Sequence, residues 1–181
     1  MPKVSADSLD STMSRSPLSV LAQDAADALK THGHSIAVAE SSTGGLISAA
    51  LLAVPRASAY YLGGSVIYTL PSRRQILGIK GSDVAGLSPM TEEMAVPFAT
   101  RAREQLEATW GIAELGVAGP TSVRYPGTKE DIAAGRSVIA VTGPVTLTIS
   151  VETGHNDREQ NMWAFTQAAL TTLARAVRSC D

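Results

Sequence analysis

The sequence predicts one α/β domain: a three-layer α/β/α sandwich around a mixed sheet that includes a C-terminal antiparallel hairpin. Three observations carry this. Apolar segments of helical spacing alternate with short β-type runs along the chain, the pattern of helices laid on both faces of a sheet. Two β-rich runs, Ser137–Thr142 and Val145–Val151, flank Gly143-Pro144 with no room for a crossover, so at least one strand pair is antiparallel. Apolar residues make up 44 % of the 181 residues and aromatic ones only 4 %, so the core is aliphatic and large enough for one domain.

The elements follow in order. Residues 1–16 are Ser-rich and poor in large apolar side chains, and are expected to form a flexible tail ahead of a domain spanning 17–181. Leu18, Leu21, Ala25, Ala28 and Leu29 recur at helical spacing behind Pro17, with a stop at Gly33. Residues 35–39 read as a buried strand, and Gly44-Gly45 opens an apolar helix over 46–53. Residues 65–68 form a β-type run, and 72–79 a short helix ending at Gly78. Thr91, followed by Glu92 and Glu93, reads as the N-cap of a helix running to Trp110. A strand is expected over 113–117, a long loop of Gly/Pro-rich sequence over 116–135, and a last helix over 157–178.

Charge and composition narrow the function. A formal net charge of −2 with 18 % charged residues is not the balance of a dedicated nucleic-acid or acidic-membrane binder. The lone Cys180 forms neither an internal disulfide nor a thiolate zinc site. His32, His34 and His155 lack metal-motif spacing, so no metal and no cofactor is expected. No apolar run approaches the roughly 20 residues of a membrane span. The N-terminal MPKVSADSLDSTMSRSP has no apolar core of a secretory signal, so the expected location is cytoplasmic.

Three segments carry candidate chemistry. Ala39-Glu40-Ser41-Ser42-Thr43-Gly44-Gly45 lies where a buried strand meets a helix N-terminus. Unpaired amides and the helix dipole there favour an anion, two glycines admit close approach, and three hydroxyls offer nucleophiles. An ordinary N-cap explains the same residues equally well. Gly63-Gly64-Ser65-Val66-Ile67-Tyr68-Thr69-Leu70-Pro71-Ser72-Arg73-Arg74 delivers a phenol and two guanidiniums to a turn, either a solvated basic corner or a phosphate or carboxylate clamp. Gly116-Val117-Ala118-Gly119-Pro120-Thr121 follows a strand with small residues, either a plain turn or a loop pressed on a ligand.

Taken together, AESSTGG at 39–45, GGSVIYTLPSR at 63–73 and GVAGP at 116–120 resemble the CinA C-terminal domain family, whose members carry A-E-S-C/S-T-G-G, G-G-x-V-x-Y-S-N-x-x-K and G-x-A-G-P in that order. VPRASAYYLGG at 54–64 and TGHNDRE at 153–159 extend the resemblance across roughly residues 18–175. The resemblance implies a compact α/β/α domain that hydrolyses nicotinamide mononucleotide to nicotinate mononucleotide and ammonia. It implies Ser41 as nucleophile, Tyr68 as the group orienting nucleophile or amide, and the amides around Thr43, Gly44 and Gly45 as holders of a phosphate or oxyanion. With Glu40, Ser42, Ala118, Gly119 and Pro120, these make the candidate substrate-binding set, for a small-molecule nucleotide in a homo-oligomer.

Several positions depart from the family pattern. The family lysine, the proposed base, aligns with Arg73, whose guanidinium stays charged and holds an anion but does not take a proton. Tyr-Ser-Asn becomes Tyr68-Thr69-Leu70, and a second family arginine aligns with Met162. Gly119-Pro120 continues into Thr121-Ser122-Val123 and a long loop through Arg124, Tyr125 and Lys129. Glu40 is an alternative base. Three readings follow: an active amidohydrolase with Ser41 as nucleophile, a pocket that binds a nucleotide without turnover, and an interaction module built on the 121–136 loop.

Overall fold

The computed structural model describes residues 16–125 and 128–180. The expected tail, apart from Ser16, lies outside the described residues. Among the described residues five α-helices and five strands run in the order α1 (Leu18–His32), β1 (Ile36–Glu40), α2 (Leu46–Ala53), β2 (Tyr61–Val66), α3 (Leu70–Gln75), α4 (Glu92–Gln105), β3 (Trp110–Val117), β4 (Arg136–Thr142), β5 (Thr146–Glu152) and α5 (Arg158–Arg178). The sheet order is β2-β1-β3-β4-β5. β1 pairs in parallel with both β2 and β3, while β3-β4 and β4-β5 are antiparallel. The mixed sheet and its C-terminal hairpin are therefore as expected.

Alternation along the central strands sorts the core. Ile36 and Val38 of β1 and Trp110 and Ile112 of β3 face α1, α2 and α5, packing with Leu29, Leu51, Leu170 and Leu173. Ala37 and Ala39 of β1 and Ala113 and Leu115 of β3 face α4, packing with Phe98, Ala99 and Ala102. Strands buried on both faces read as continuous apolar runs, which is why 36–39 signalled a strand without alternation.

Several boundaries moved. The strand expected at 65–68 runs from Tyr61 to Val66, because the parallel ladder to β1 begins at Ile36–Tyr61 and leaves Ile67 and Tyr68 beyond its end. The helix expected to reach Trp110 stops at Gln105, since Trp110 is needed in register with Ile36 on β3. Thr91 holds the N-cap position but caps nothing: its hydroxyl donates to the Ser88 carbonyl at 3.0 Å. The short helix expected over 72–79 is α3, starting at Leu70 with Thr69 and Ser72 as a reciprocal capping pair. At the last helix Asp157 caps α5 by accepting from the Gln160 amide at 2.9 Å. The strand expected over 113–117 is the second part of β3, which begins earlier, at Trp110. Gly116 and Val117, where the expected strand and loop overlapped, belong to the strand, and the loop after it carries a bridge between Val123 and Ile132.

This topology fixes where a site can form. From β1 the chain crosses through α2 to β2 on one side, then through α4 to β3 on the other. The loops leaving the carboxyl ends of β1 and β3 therefore diverge, and open α/β sheets bind ligands in the crevice at that point.

Candidate functional site

Both loops at the switch point meet around a cavity of about 280 Å³. Ser41 and Ser42 follow the end of β1, Tyr68 follows β2, Arg73 comes from α3, and residues 116–119 from the end of β3 and the loop after it. Thr121, Val123 and Tyr125 of the long loop and Arg158 of α5 complete it. The structure thus gathers Ser41, Ser42, Tyr68, Arg73, Ala118 and Gly119 into one cavity. A larger groove of about 620 Å³ between α1 and α5 lies on the outer helical layer, far from the strand ends.

The floor of the site is built from two buried glutamates. Glu40 and Glu114 are register partners on β1 and β3, and both are fully buried. Glu40 accepts from the amides of Gly45, Ile47 and Ser48 at 2.9, 3.1 and 3.1 Å, and from the Ser48 hydroxyl at 2.6 Å. It is the cap of α2, supplied from the preceding strand. Glu114 accepts from the Ser41 and Thr43 amides at 3.2 and 3.0 Å, the Ser42 hydroxyl at 2.5 Å and the Ser137 hydroxyl at 2.9 Å. The Thr43 hydroxyl lies between the two carboxylates, 2.8 Å from Glu40 and 3.1 Å from Glu114.

These bonds change the expected role of the helix start. The Thr43 and Gly45 amides, expected to receive a phosphate or oxyanion, are already occupied by protein carboxylates, and the Gly44 amide donates to the Ser41 carbonyl at 3.2 Å. Glu40, Thr43, Gly44, Gly45 and Pro120 do not line the cavity. Glu40, whose oxygens accept from the start of α2 and from the Thr43 hydroxyl and which does not line the cavity, is not a free base. Gly44 and Gly45 instead make the left-handed turn into α2, with φ of 66° and 105°.

Cations stand in for the missing helix-start donors. Arg73 is half-buried, its Nε donating to the Ile67 carbonyl at 3.3 Å and its guanidinium lying over the Phe98 ring. Burial lowers its pKa below the usual arginine value, opposed by Tyr125 and Glu114. Burial also raises the Tyr125 phenol, an effect that nearby Arg73 reduces. Arg158 donates to the Gly119 carbonyl at 2.7 Å and to the Tyr68 hydroxyl at 3.1 Å, and sits over the Tyr68 ring. Arg158 therefore links Tyr68, 55 % exposed, to Gly119 along the cavity lining.

Arg158 was not singled out by sequence reasoning, which placed the second family arginine at Met162; the signal was the Asp157-Arg158 pair in the segment before the last helix. Met162 packs under the α2 turn, 3.0 Å from where a Gly44 side chain would begin. Asn161 was also missed. Its amide donates to the carbonyls of Ala118 and His155 at 2.8 and 3.1 Å, holding the 118–119 loop against α5. Glu114 gave no signal at all, lying mid-strand in an otherwise apolar run. Gly119 has φ 107°, and a side chain there would come within 2.7 Å of the Asn156 carbonyl oxygen.

Among the described residues no three His, Cys, Asp or Glu side chains are grouped to hold a metal, and no helix is long and apolar enough to cross a membrane.

Comparison with known proteins supports the fold and identifies the family. A CinA-like protein of Prochlorococcus marinus is 41 % identical over 100 residues, covering 55 % of this chain and 23 % of that protein. A CinA-like protein of Acidobacterium capsulatum is 31 % identical over 147 residues, covering 81 % of this chain and 34 % of that protein. The chain thus spans about a third or less of the length of these curated relatives. Among solved structures, a CinA superfamily protein of Klebsiella pneumoniae superposes with a TM-score of 0.78 at 25 % identity, covering 91 % of this chain and 99 % of that one. A competence/damage-inducible protein of Agrobacterium tumefaciens gives 0.77 at 27 % identity, covering 92 % and 99 %. The family model described as CinA C-terminal domain matches residues 18–177, and with it the chain is shown to belong to the CinA C-terminal domain family.

Proposed function

We propose that the cavity binds a pyridine mononucleotide and hydrolyses its carboxamide, converting nicotinamide mononucleotide to nicotinate mononucleotide and ammonia. One observation carries this reading: two adjacent serines, Ser41 and Ser42, open into the same cavity as two guanidiniums, Arg73 and Arg158. Guanidiniums match a phosphate with paired hydrogen bonds and a serine hydroxyl supplies the nucleophile, so the set suits an anionic substrate with an electrophilic carbonyl. Family resemblance gives the attack to Ser41. We also propose a cytoplasmic, homo-oligomeric setting for the protein, which fractionation and sedimentation test.

A second reading is favoured by Arg73. Where the family pattern has a lysine able to shed its proton, this chain has a group that stays charged, which suits retention of an anionic nucleotide without turnover. Ammonia release from nicotinamide mononucleotide, followed alongside calorimetric titration with the same compound, separates the two. Binding with release supports hydrolysis, binding alone supports the second reading, and neither removes both for this ligand.

A further inference from the structure

The proposed hydrolysis needs a proton acceptor, and Arg73 is not one. The two serines differ in this respect. Ser41 meets Glu114 only through its backbone amide, at 3.2 Å, and its hydroxyl takes no part in the carboxylate network. The Ser42 hydroxyl donates directly to Glu114 Oε1 at 2.5 Å. Ser42 lines the cavity, while Glu114 stands behind it, fully buried.

The carboxylate is itself fixed from the far side. Ser137 of β4 donates to the same Oε1 at 2.9 Å, and the Thr43 amide to Oε2 at 3.0 Å. Nucleophile, base within hydrogen-bond reach, and third groups orienting the base form the signature of an activated hydroxyl. Gly116 keeps the pair accessible. A side chain there would begin 2.2 Å from Ser42 Oγ and 2.6 Å from Glu114 Oε1, at the cavity wall. The φ of Gly116 is not positive, so space and not backbone conformation demands glycine at this position.

We infer that Ser42 and Glu114 form the nucleophile–base pair of this chain, in place of Ser41 and a lysine. The inference rests on the serine-hydrolase reading above but not on the identity of the substrate. Ser42 Oγ attacks the carboxamide carbon, a C–O bond forms, and the hydroxyl proton passes to Glu114 Oε1. The C–N bond then breaks, Glu114 returns the proton to the leaving nitrogen, and ammonia departs from an acyl-Ser42 ester. A water molecule adds to the ester carbon while Glu114 accepts its proton. The ester C–O bond breaks, the proton returns to Ser42 Oγ, and the carboxylic acid is released. Arg73, facing the same cavity, supplies fixed positive charge to the oxygen on which negative charge builds.

A fluorophosphonate, which esterifies activated serines, tests this without depending on the natural substrate. The full-length chain is incubated with the probe, and the adduct is located by mass spectrometry of its peptides. The expected adduct is on Ser42, absent in Ser42→Ala, with the labelling rate in Glu114→Gln reduced by about 10²–10⁴-fold, the range for loss of a general base. Ser42→Ala removes one of several donors to Glu114, so its fold is retained and checked by circular dichroism. An adduct on Ser41, or on neither serine, overturns the inference. Failure to release ammonia from nicotinamide mononucleotide with Ser42 still labelled overturns the proposed substrate and leaves the pair standing.

Discussion

Glu40 and Glu114 are the same residue type, opposite each other in the β1–β3 register, on the same face of the sheet, and equally buried. Their surroundings divide their work. Most of the donors to Glu40 are amides and a hydroxyl of the first turn of α2, fixed in the fold and turned away from the cavity. One donor to Glu114 is the hydroxyl of a serine on the cavity wall, which a ligand can reach. Burial and hydrogen-bond number alone do not distinguish a structural carboxylate from a chemical one. The distinction lies in whether any donor is exchangeable.

The comparison is broken or sharpened by substitution. The largest effect on stability belongs to Glu40→Ala, which strands the amides of Gly45 and Ile47 and uncaps α2. Leaving such buried donors unpaired costs about 3 kcal/mol, a fall in Tm of about 6–12 °C for a domain of this size. A thermal melt within 2 °C of the parent (about half a kcal/mol) would show that Glu40 caps nothing of consequence.

Gly116→Ala acts on the other glutamate. The added carbon meets Ser42 Oγ and Glu114 Oε1, so one of them must move. Overpacking of this kind costs about 1–3 kcal/mol, and the probe reaction at Ser42 is lost while the fold is kept. Unchanged labelling would mean that the pair tolerates displacement and is not the activated site.

Arg158→Ala removes the bonds to Gly119 and Tyr68 and one cavity cation. Calorimetry with nicotinamide mononucleotide is expected to show affinity weaker by about tenfold, the worth of one hydrogen bond to a charged group. An unaltered Kd would place the phosphate elsewhere.

The smallest effect is on acid stability. Asp157 is held below the usual carboxylate range, chiefly by the backbone amide of Gln160. A lowered folded-state pKa means its contribution is present above the unfolded value and is lost as pH falls through the folded one. Melts of the parent and of Asp157→Asn should therefore differ at neutral pH and converge below about pH 4. Curves that stay parallel to lower pH would show that Asp157 does not titrate with folding.

Much of the fold was legible in the sequence because its signals are local. The helix over 46–53 was readable from Gly44-Gly45 ahead of an apolar run, and α1 from spacing and Gly33. The hairpin announced itself through Gly143-Pro144 between two β-type runs. Boundaries set by pairing were not legible. β2 starts at Tyr61 because Ile36 lies opposite, and α4 stops early because Trp110 is required on β3. The site was half legible. Ser41, Ser42, Tyr68, Arg73, Ala118 and Gly119 sit in recognisable segments and meet in one cavity. Arg158 sits in the 153–159 segment, whose resemblance to the family did not single it out, while Asn161 and Glu114 sit in no chemical motif of their own and matter only through what they touch.

By itself the sequence determined the alternation of elements, the aliphatic core and the strand-to-helix junction that presents the serines, since hydrophobic period, turn residues and composition act over a few neighbours. Only the tertiary structure decided which hydroxyl faces a carboxylate and which amides are taken. Ser42 and Glu114 are 72 residues apart in the chain, and the parallel register of β1 with β3 brings them into contact. Register is a property of two strands together, so no window of one strand contains it.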